Sequence, residues 1–302
     1  MSVSPARSRG ASRRRLPSSL RPSVQPTPLP RHSLRSSLGL FNPTVAWITT
    51  RATLGRKRAL LFAIPAVILI VVTVALKASR PPSRPWPSHV LGTFGFSVLL
   101  PLTALIIGCS VLGAEIDDGS IIHLLATPVR RSSVVLTKFT VATVLTIIFA
   151  AVPELIAALI SGGGRTAPVV TFHPNGPPTV IPGAVISNTG FAVGLFVGAL
   201  VGAVIYNAIF VMVSAATTRA IAVGLLYVLI WEAVLSNFVS GARLLSVSHY
   251  SLGIANAIAH DSTLDAGLTA TVSIVMGAIV TVLALVLAVN LLSSFTLKGE
   301  PA

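Results

Sequence analysis

Acidic side chains are scarce in this chain. Eight Asp and Glu stand against 22 Lys and Arg in 302 residues, giving a net charge of +14, and charged residues make up only 10%. A soluble domain carries about a quarter charged residues, so the usual water-facing surface is missing. Cysteine is reduced to Cys109, which sits inside an apolar run. A single thiol excludes an intrachain disulfide, and in an apolar setting it reads as packing. No G-x-x-x-x-G-K-[ST] phosphate loop occurs anywhere, which excludes ATP hydrolysis by that chemistry. No nucleophile motif or Ser/His/Asp arrangement stands out either. His89, His173, His249 and His260, the last beside Asp261 and close to Asp265, lack a recognised ligand spacing. They are expected to be solvated loop residues, and no metal site is expected.

The basic excess is concentrated. Residues 1–58 hold 12 of the 22 Lys and Arg and no acid. No aromatic or basic binding module accompanies this charge, so nucleic acid is not the expected partner. An arginine-rich flank suits anionic membrane lipids on the cytoplasmic side instead. Residues 1–38 are rich in Ser, Arg and Pro and are expected to form a disordered cytoplasmic tail. Their acid-free composition also resembles a transit peptide, but they lack a clear amphipathic helix. The first apolar run starts too late for a secretory signal.

What the chain has in abundance is apolar length. Hydrophobic residues make up 53%. Six segments, about 59–76, 90–112, 139–160, 190–213, 220–240 and 266–292, are each near the ~20 residues needed to cross a bilayer. The expected fold is an all-α integral membrane protein with six transmembrane helices over residues 39–298. Within residues 42–58, Asn42-Pro43 is a reasonable helix start. Trp47, Ile48 and Leu54 alternate there with Arg51, Arg56, Lys57 and Arg58. This pattern predicts an N-terminal interfacial helix, or else a plain basic flank of the first span.

An even number of spans puts both termini on one side, and the charge chooses which. With the termini in the cytoplasm, only Lys77, Arg80, Arg84, Arg165 and Arg243 of the 22 basic residues lie outside. The positive-inside rule favours that orientation, although KASRPPSRPWPSH, the first outer loop, disagrees locally. Residues 161–189, rich in Gly and Pro, are expected outside. Residues 241–265 are also expected outside, dipping back toward the membrane.

Inside the cytoplasm this orientation places AEIDDGSIIHLLATPVRRSSVVLTK, residues 114–138. Asp118 can cap a short helix, Asp117 suits its positive end, and Pro128 stops it. Ile121, Ile122, Leu124 and Leu125 are too apolar for a solvated loop and call for a partner surface. The order Glu115, Gly119, Leu124-Leu125, Pro128, Arg131 and Lys138 resembles a pattern after the second span of type-2 ABC transporter permeases, the exporter class. YVLIWEAVLSNFVSGARLLSVSHY, residues 227–250, is similar to the Trp-Glu and Leu-Ser region of the fifth span in that class.

The resemblance, over about residues 40–297, implies a six-span domain pairing with a second permease copy or a paralogue in a bacterial plasma membrane. It implies no cofactor on this chain, with ATP and Mg held by a separate cytoplasmic ABC ATPase subunit. The loop after the second span would be the cytoplasmic coupling helix. Ile121, Ile122, Leu124 and Leu125 would make the contact, and Glu115, Asp118, Gly119, Pro128 and Arg131 would set its register. The competing reading is a non-transporting scaffold or sensor that recruits a cytosolic partner.

Two further features carry alternatives. Gly190, Gly194, Gly198 and Gly202 form one helical stripe that admits a close backbone, either within the chain or at a dimer or pathway seam. Glu154 and Glu232 lie inside apolar spans, where a carboxylate is costly. Each is expected to face protein, water or a partner. Substrate binding, proton coupling and gating stand against a plain helix contact, and an intramembrane enzyme is the remotest option.

Overall fold

A computed structural model describes residues 43–79, 86–117, 131–162, 169–171, 176–181, 187–236, 240–261, 264 and 267–294. It is an all-α membrane fold with one small hairpin. Helix α1 (Pro43–Thr53) begins on a proline, whose missing N–H costs nothing at a helix start. It buries Thr49 and Thr53 and exposes Trp47 and Ile48. Helix α2 (Arg56–Ser79) follows as the first span, with Pro65 inside it.

The second span is a composite of α3 (Trp86–His89), a π-helical segment π1 (Val90–Leu99) and α4 (Leu100–Asp117). The third is built the same way, from α5 (Arg131–Thr146), π2 (Ile147–Ala151) and α6 (Val152–Ser161). The π2 turn has a local cause. Pro153 cannot donate to the carbonyl four residues back and crowds it, and the ladder widens just before it, with Val152 N–H bonding Ile147 O. Gly162, at φ 91°, ends α6 in the left-handed cap that glycine adopts freely.

Strands β1 (Val169–Thr171) and β2 (Thr179–Ile181) then pair antiparallel, Val170 opposite Val180. Helix α7 (Asn188–Ala216) is the fourth span, and the Ser187 side chain accepts from Gly190 N–H at its start. Helix α8 (Ala220–Leu226) leads into π3 (Tyr227–Leu235), followed by a 3-10 helix (Ser240–Leu245), α9 (Val247–Ala259) and α10 (Ala270–Ser294). Among the described residues, five helices are long and apolar enough to cross a membrane, and Ala220–Glu232 is a shorter apolar one. The fifth expected segment, 220–240, is thus a short helix that widens into a π turn.

Helix α7 is the hub: α4, α5, α6, α8, α9 and α10 all pack against it. Its buried Phe191, Leu195, Ala199, Ala203, Tyr206 and Phe210 recur at three- and four-residue intervals, one continuous stripe. By contrast α2 and α10 expose rows of Val, Ile and Leu, the surface that lipid or another membrane helix covers.

The glycine stripe faces α9. A Cβ on Gly194 would lie 2.7 Å from the Ala255 carbonyl oxygen, and one on Gly198 would lie 2.6 Å from that of Ser251. Gly202 meets Leu100 and Ser251 side chains, while Gly190 touches only its own capping Ser187. The close approach is therefore within the chain, between α7 and α9. Gly198→Val is expected to destabilise the fold by about 1–3 kcal/mol through overpacking. Thermal unfolding in detergent, against Gly241→Val at a position with nothing within 4 Å, measures this.

Helix α9, within residues 241–265, packs on the bundle and buries Val247, Ser248, Tyr250, Ser251 and Ala255. Its serines are core residues because they have acceptors there.

Candidate functional site

The two intramembrane carboxylates sit in opposite chemical settings. Glu232, on π3, is fully buried. Its Oε1 accepts from Val247 N–H at 2.9 Å and from the Tyr227 hydroxyl at 3.2 Å. Its Oε2 accepts from the hydroxyls of Ser246 at 2.6 Å and Ser248 at 2.8 Å. Val247 and Ser248 are the first two residues of α9, so Glu232 caps that helix from another element and meets the positive end of its dipole. His249 Nδ1 lies 3.0 Å from Ser246 Oγ and extends the network. Trp231 donates to Leu245 O at 3.2 Å, and Tyr250 donates to Leu244 O. A carboxylate with four donors around its two oxygens has its capacity filled. The arrangement is a clasp joining the fifth segment to α9.

Glu154 lies on α6, only 4% exposed. Its Oε1 is buried and has no hydrogen-bond partner among the described residues. The carboxyl group presses on the backbone of the second span at Gly95, where an added Cβ would lie 2.5 Å from Oε2. A side chain there would displace the carboxyl group from its present place. Beside it is a cavity of about 10 Å³ that α2, π1, α4, π2 and α7 help to enclose. Pro65, Leu69, Phe96, Thr103 and Phe149 contribute to the lining.

The charged stretch after the second span is described only at its edges. Asp118, Gly119, Ile121, Ile122, Leu124, Leu125 and Pro128 lie outside the described residues, and Glu115 is described in its helical backbone alone. Arg131 opens α5, and its guanidinium donates to Ser293 O at 2.6 Å, one of the carbonyls that the end of α10 leaves without an intrahelical partner. Lys138, fully buried, donates to Val111 O at 2.7 Å on α4. The arm that leaves the stretch is therefore pinned to both α4 and α10 by charge-assisted bonds.

Next to that arm, Leu61, Phe62, Ile106, Cys109, Ser110, Arg219 and Leu225 help line a cleft of about 680 Å³ between α2, α4 and α8. Apart from Arg219, its lining carries no charge.

A family model described as ABC-2 family transporter protein matches residues 54–239, more than half of the chain. The chain belongs to the ABC-2 transporter family. It is a multi-pass membrane component of an ABC transporter, and the members of the family are transport subunits rather than catalysts. No curated protein matches the chain. The match takes in the first five apolar segments and stops short of α9, so in this ABC-2 protein the Glu232 clasp ties the matched region to the residues beyond it.

Of the predicted site residues, Glu232 joins a cluster and Glu154 faces a cavity. Gly194, Gly198 and Gly202 make the α7–α9 seam, and Arg131 holds α10. The solvated reading of the histidines fails at His249, which is buried at 8% exposure because its ring nitrogen meets Ser246. Asp261 is buried too, accepting from the Ser88 hydroxyl at the start of the second span. His89 and His260 are exposed, and His173 lies outside the described residues. Among the described residues no three His, Cys, Asp or Glu side chains gather. Sequence reasoning missed Ser246, Ser248 and Tyr227 as partners of Glu232. It also missed Asn207, a fully buried amide that donates to Thr146 Oγ1 at 2.9 Å across the third and fourth spans. A polar residue inside a run as apolar as that of α7 was the available signal.

Proposed function

We propose that this chain is the permease subunit of an ATP-driven exporter in a bacterial plasma membrane. Two permease halves, identical or paralogous, line the path, and separate cytoplasmic ATPase subunits bind ATP and Mg. Both termini face the cytoplasm, the side on which the positive-inside rule puts the arginine-rich N-terminal flank. The residue 114–138 stretch is the coupling helix, and Ile121, Ile122, Leu124 and Leu125 dock on the ATPase.

The observation that carries this reading is the ABC-2 family match. The pinning of Arg131 to α10 and of Lys138 to α4 supports it. A docked helix transmits motion only if its flanks are rigidly joined to the elements that move. The wide cleft between α2, α4 and α8, with apolar walls and Arg219 in its lining, suits an apolar or amphiphilic cargo such as a lipid or a drug.

Affinity capture of the detergent-solubilised chain from its native membrane, followed by mass spectrometry, tests the reading. A stoichiometric polypeptide with a phosphate loop is expected. Intact protein recovered under gentle conditions without such a partner would favour the scaffold or sensor alternative.

A further inference from the structure

The clasp explains Glu232 completely, but nothing described so far explains Glu154. A carboxyl oxygen buried without a partner is costly in any protein, and more so inside a bilayer. No Lys or Arg lines the neighbouring cavity. Lys77, also on α2, donates instead to Ile160 O, farther along α6. An ionised carboxylate at this position would meet no counter-charge in the cavity lining.

We propose that the small cavity lined by spans one to four is a binding site for a water-sized monovalent cation, with Glu154 as its counter-charge. Four observations converge on this assignment. The unpartnered Oε1 lies beside the cavity and is buried with it. The volume, about 10 Å³, matches one water or an ion of that size. Thr103, also on the lining, donates its hydroxyl proton to Leu99 O at 2.7 Å, so its oxygen lone pairs remain to accept or coordinate. Gly95 removes the one side chain that would displace the carboxyl group. A single carboxylate neutralises one positive charge and leaves a divalent ion uncompensated.

The position also makes an occupied site consequential. Two of the three described π-helical segments, π1 and π2, contribute lining residues, and such widened turns recur at functional positions. The remaining wall includes Pro65, Ala66 and Leu69 of α2, the least buried of the five long spans. An ion here adds a polar link among spans that Lys77, Lys138 and Asn207 already tie together elsewhere. The site stands independently of the exporter reading, because it needs neither an ATPase nor a second permease.

The test uses the purified full chain in nanodiscs, unfolded by heat in sodium, potassium or ammonium chloride. N-methylglucamine chloride at equal ionic strength is the reference. A ligand at free concentration c that binds the folded state stabilises it by RT ln(1 + c/Kd) and so raises the melting temperature as c exceeds Kd. The wild type is expected to melt higher in at least one of the three small cations, and Glu154→Gln, which keeps the side-chain shape, is expected to lose that shift. No shift in the wild type with any of the three, or an equal shift in Glu154→Gln, would overturn the proposal. If Glu154→Gln does not accumulate, Thr103→Val carries the test: a reduced shift supports the site and an unchanged shift refutes it.

Discussion

Replacing Glu232 with Ala is expected to unseat α9 and abolish transport. The carboxylate accepts from Val247 N–H and from the hydroxyls of Tyr227, Ser246 and Ser248. The deletion leaves these groups in the interior without their acceptor. Each such orphan costs about 1–3 kcal/mol, so the loss amounts to several kcal/mol even if some donors turn to other acceptors. Glu232→Gln retains one carbonyl oxygen but turns an NH2 group toward hydroxyl donors, so its effect should fall between wild type and Glu232→Ala. Thermal unfolding in detergent reads the stability. Limited proteolysis near residues 237–246 reads the release of α9 directly. Wild-type protection of that region in Glu232→Ala would show that the clasp does not hold α9.

The second large effect is expected in the stretch after the second span. Leu124→Asp puts a charge on the apolar face of the proposed coupling helix. Gly119→Pro disturbs its start. If that face is the ATPase contact, losing its central residue costs about 2 kcal/mol or more, roughly a thirtyfold loss of affinity. Both variants leave the apolar spans untouched, so insertion and yield should stay normal while capture of the ATPase collapses. Normal co-purification with both variants would place the contact elsewhere.

Much of the bundle was legible because the bilayer imposes length and composition so strictly. Helices α2, α7 and α10 and the composite second and third spans fall close to the apolar runs that announce them. The glycine stripe was legible as a close-packing face, since its four-residue spacing survives in any helix. Its partner was not, because nothing in α7 names α9. The π segments were invisible for a related reason: a run that is apolar on all sides carries no periodicity for a wider turn to disturb. Prolines mark two of them: Pro153 follows the residue that closes π2, and Pro101 follows the one that closes π1.

The largest surprises came where polar residues are core. His249 was expected to be solvated, yet it is buried together with its neighbours Ser246 and Ser248. They are tolerated because Glu232, from another element, accepts from the two serines, and Ser246 in turn meets His249. Such a match is a property of two segments and cannot be read from either alone. The β1–β2 hairpin was missed because its strands are three residues long and flank a stretch rich in Pro and Gly. Glu154 and Glu232 both read as lone acids in apolar runs, and the Trp-Glu resemblance at Glu232 named no partner for it. Packing gives one a full set of donors and the other an unpartnered oxygen beside a cavity.

The central claim is that residues 114–138 of this ABC-2 permease couple it to a separate ATPase, and one cross-linking measurement tests it most directly. Cys109 is the only cysteine and is buried, so Cys109→Ser gives a background free of thiols. Ile121→Cys in that background is treated with a short thiol-to-amine cross-linker in native membranes, and Val170→Cys, on β1, serves as the control. The account predicts a product joining Ile121→Cys to a phosphate-loop ATPase and none from the control. An ATPase captured with the chain but never cross-linked at residue 121, or cross-linked equally from residue 170, would contradict it.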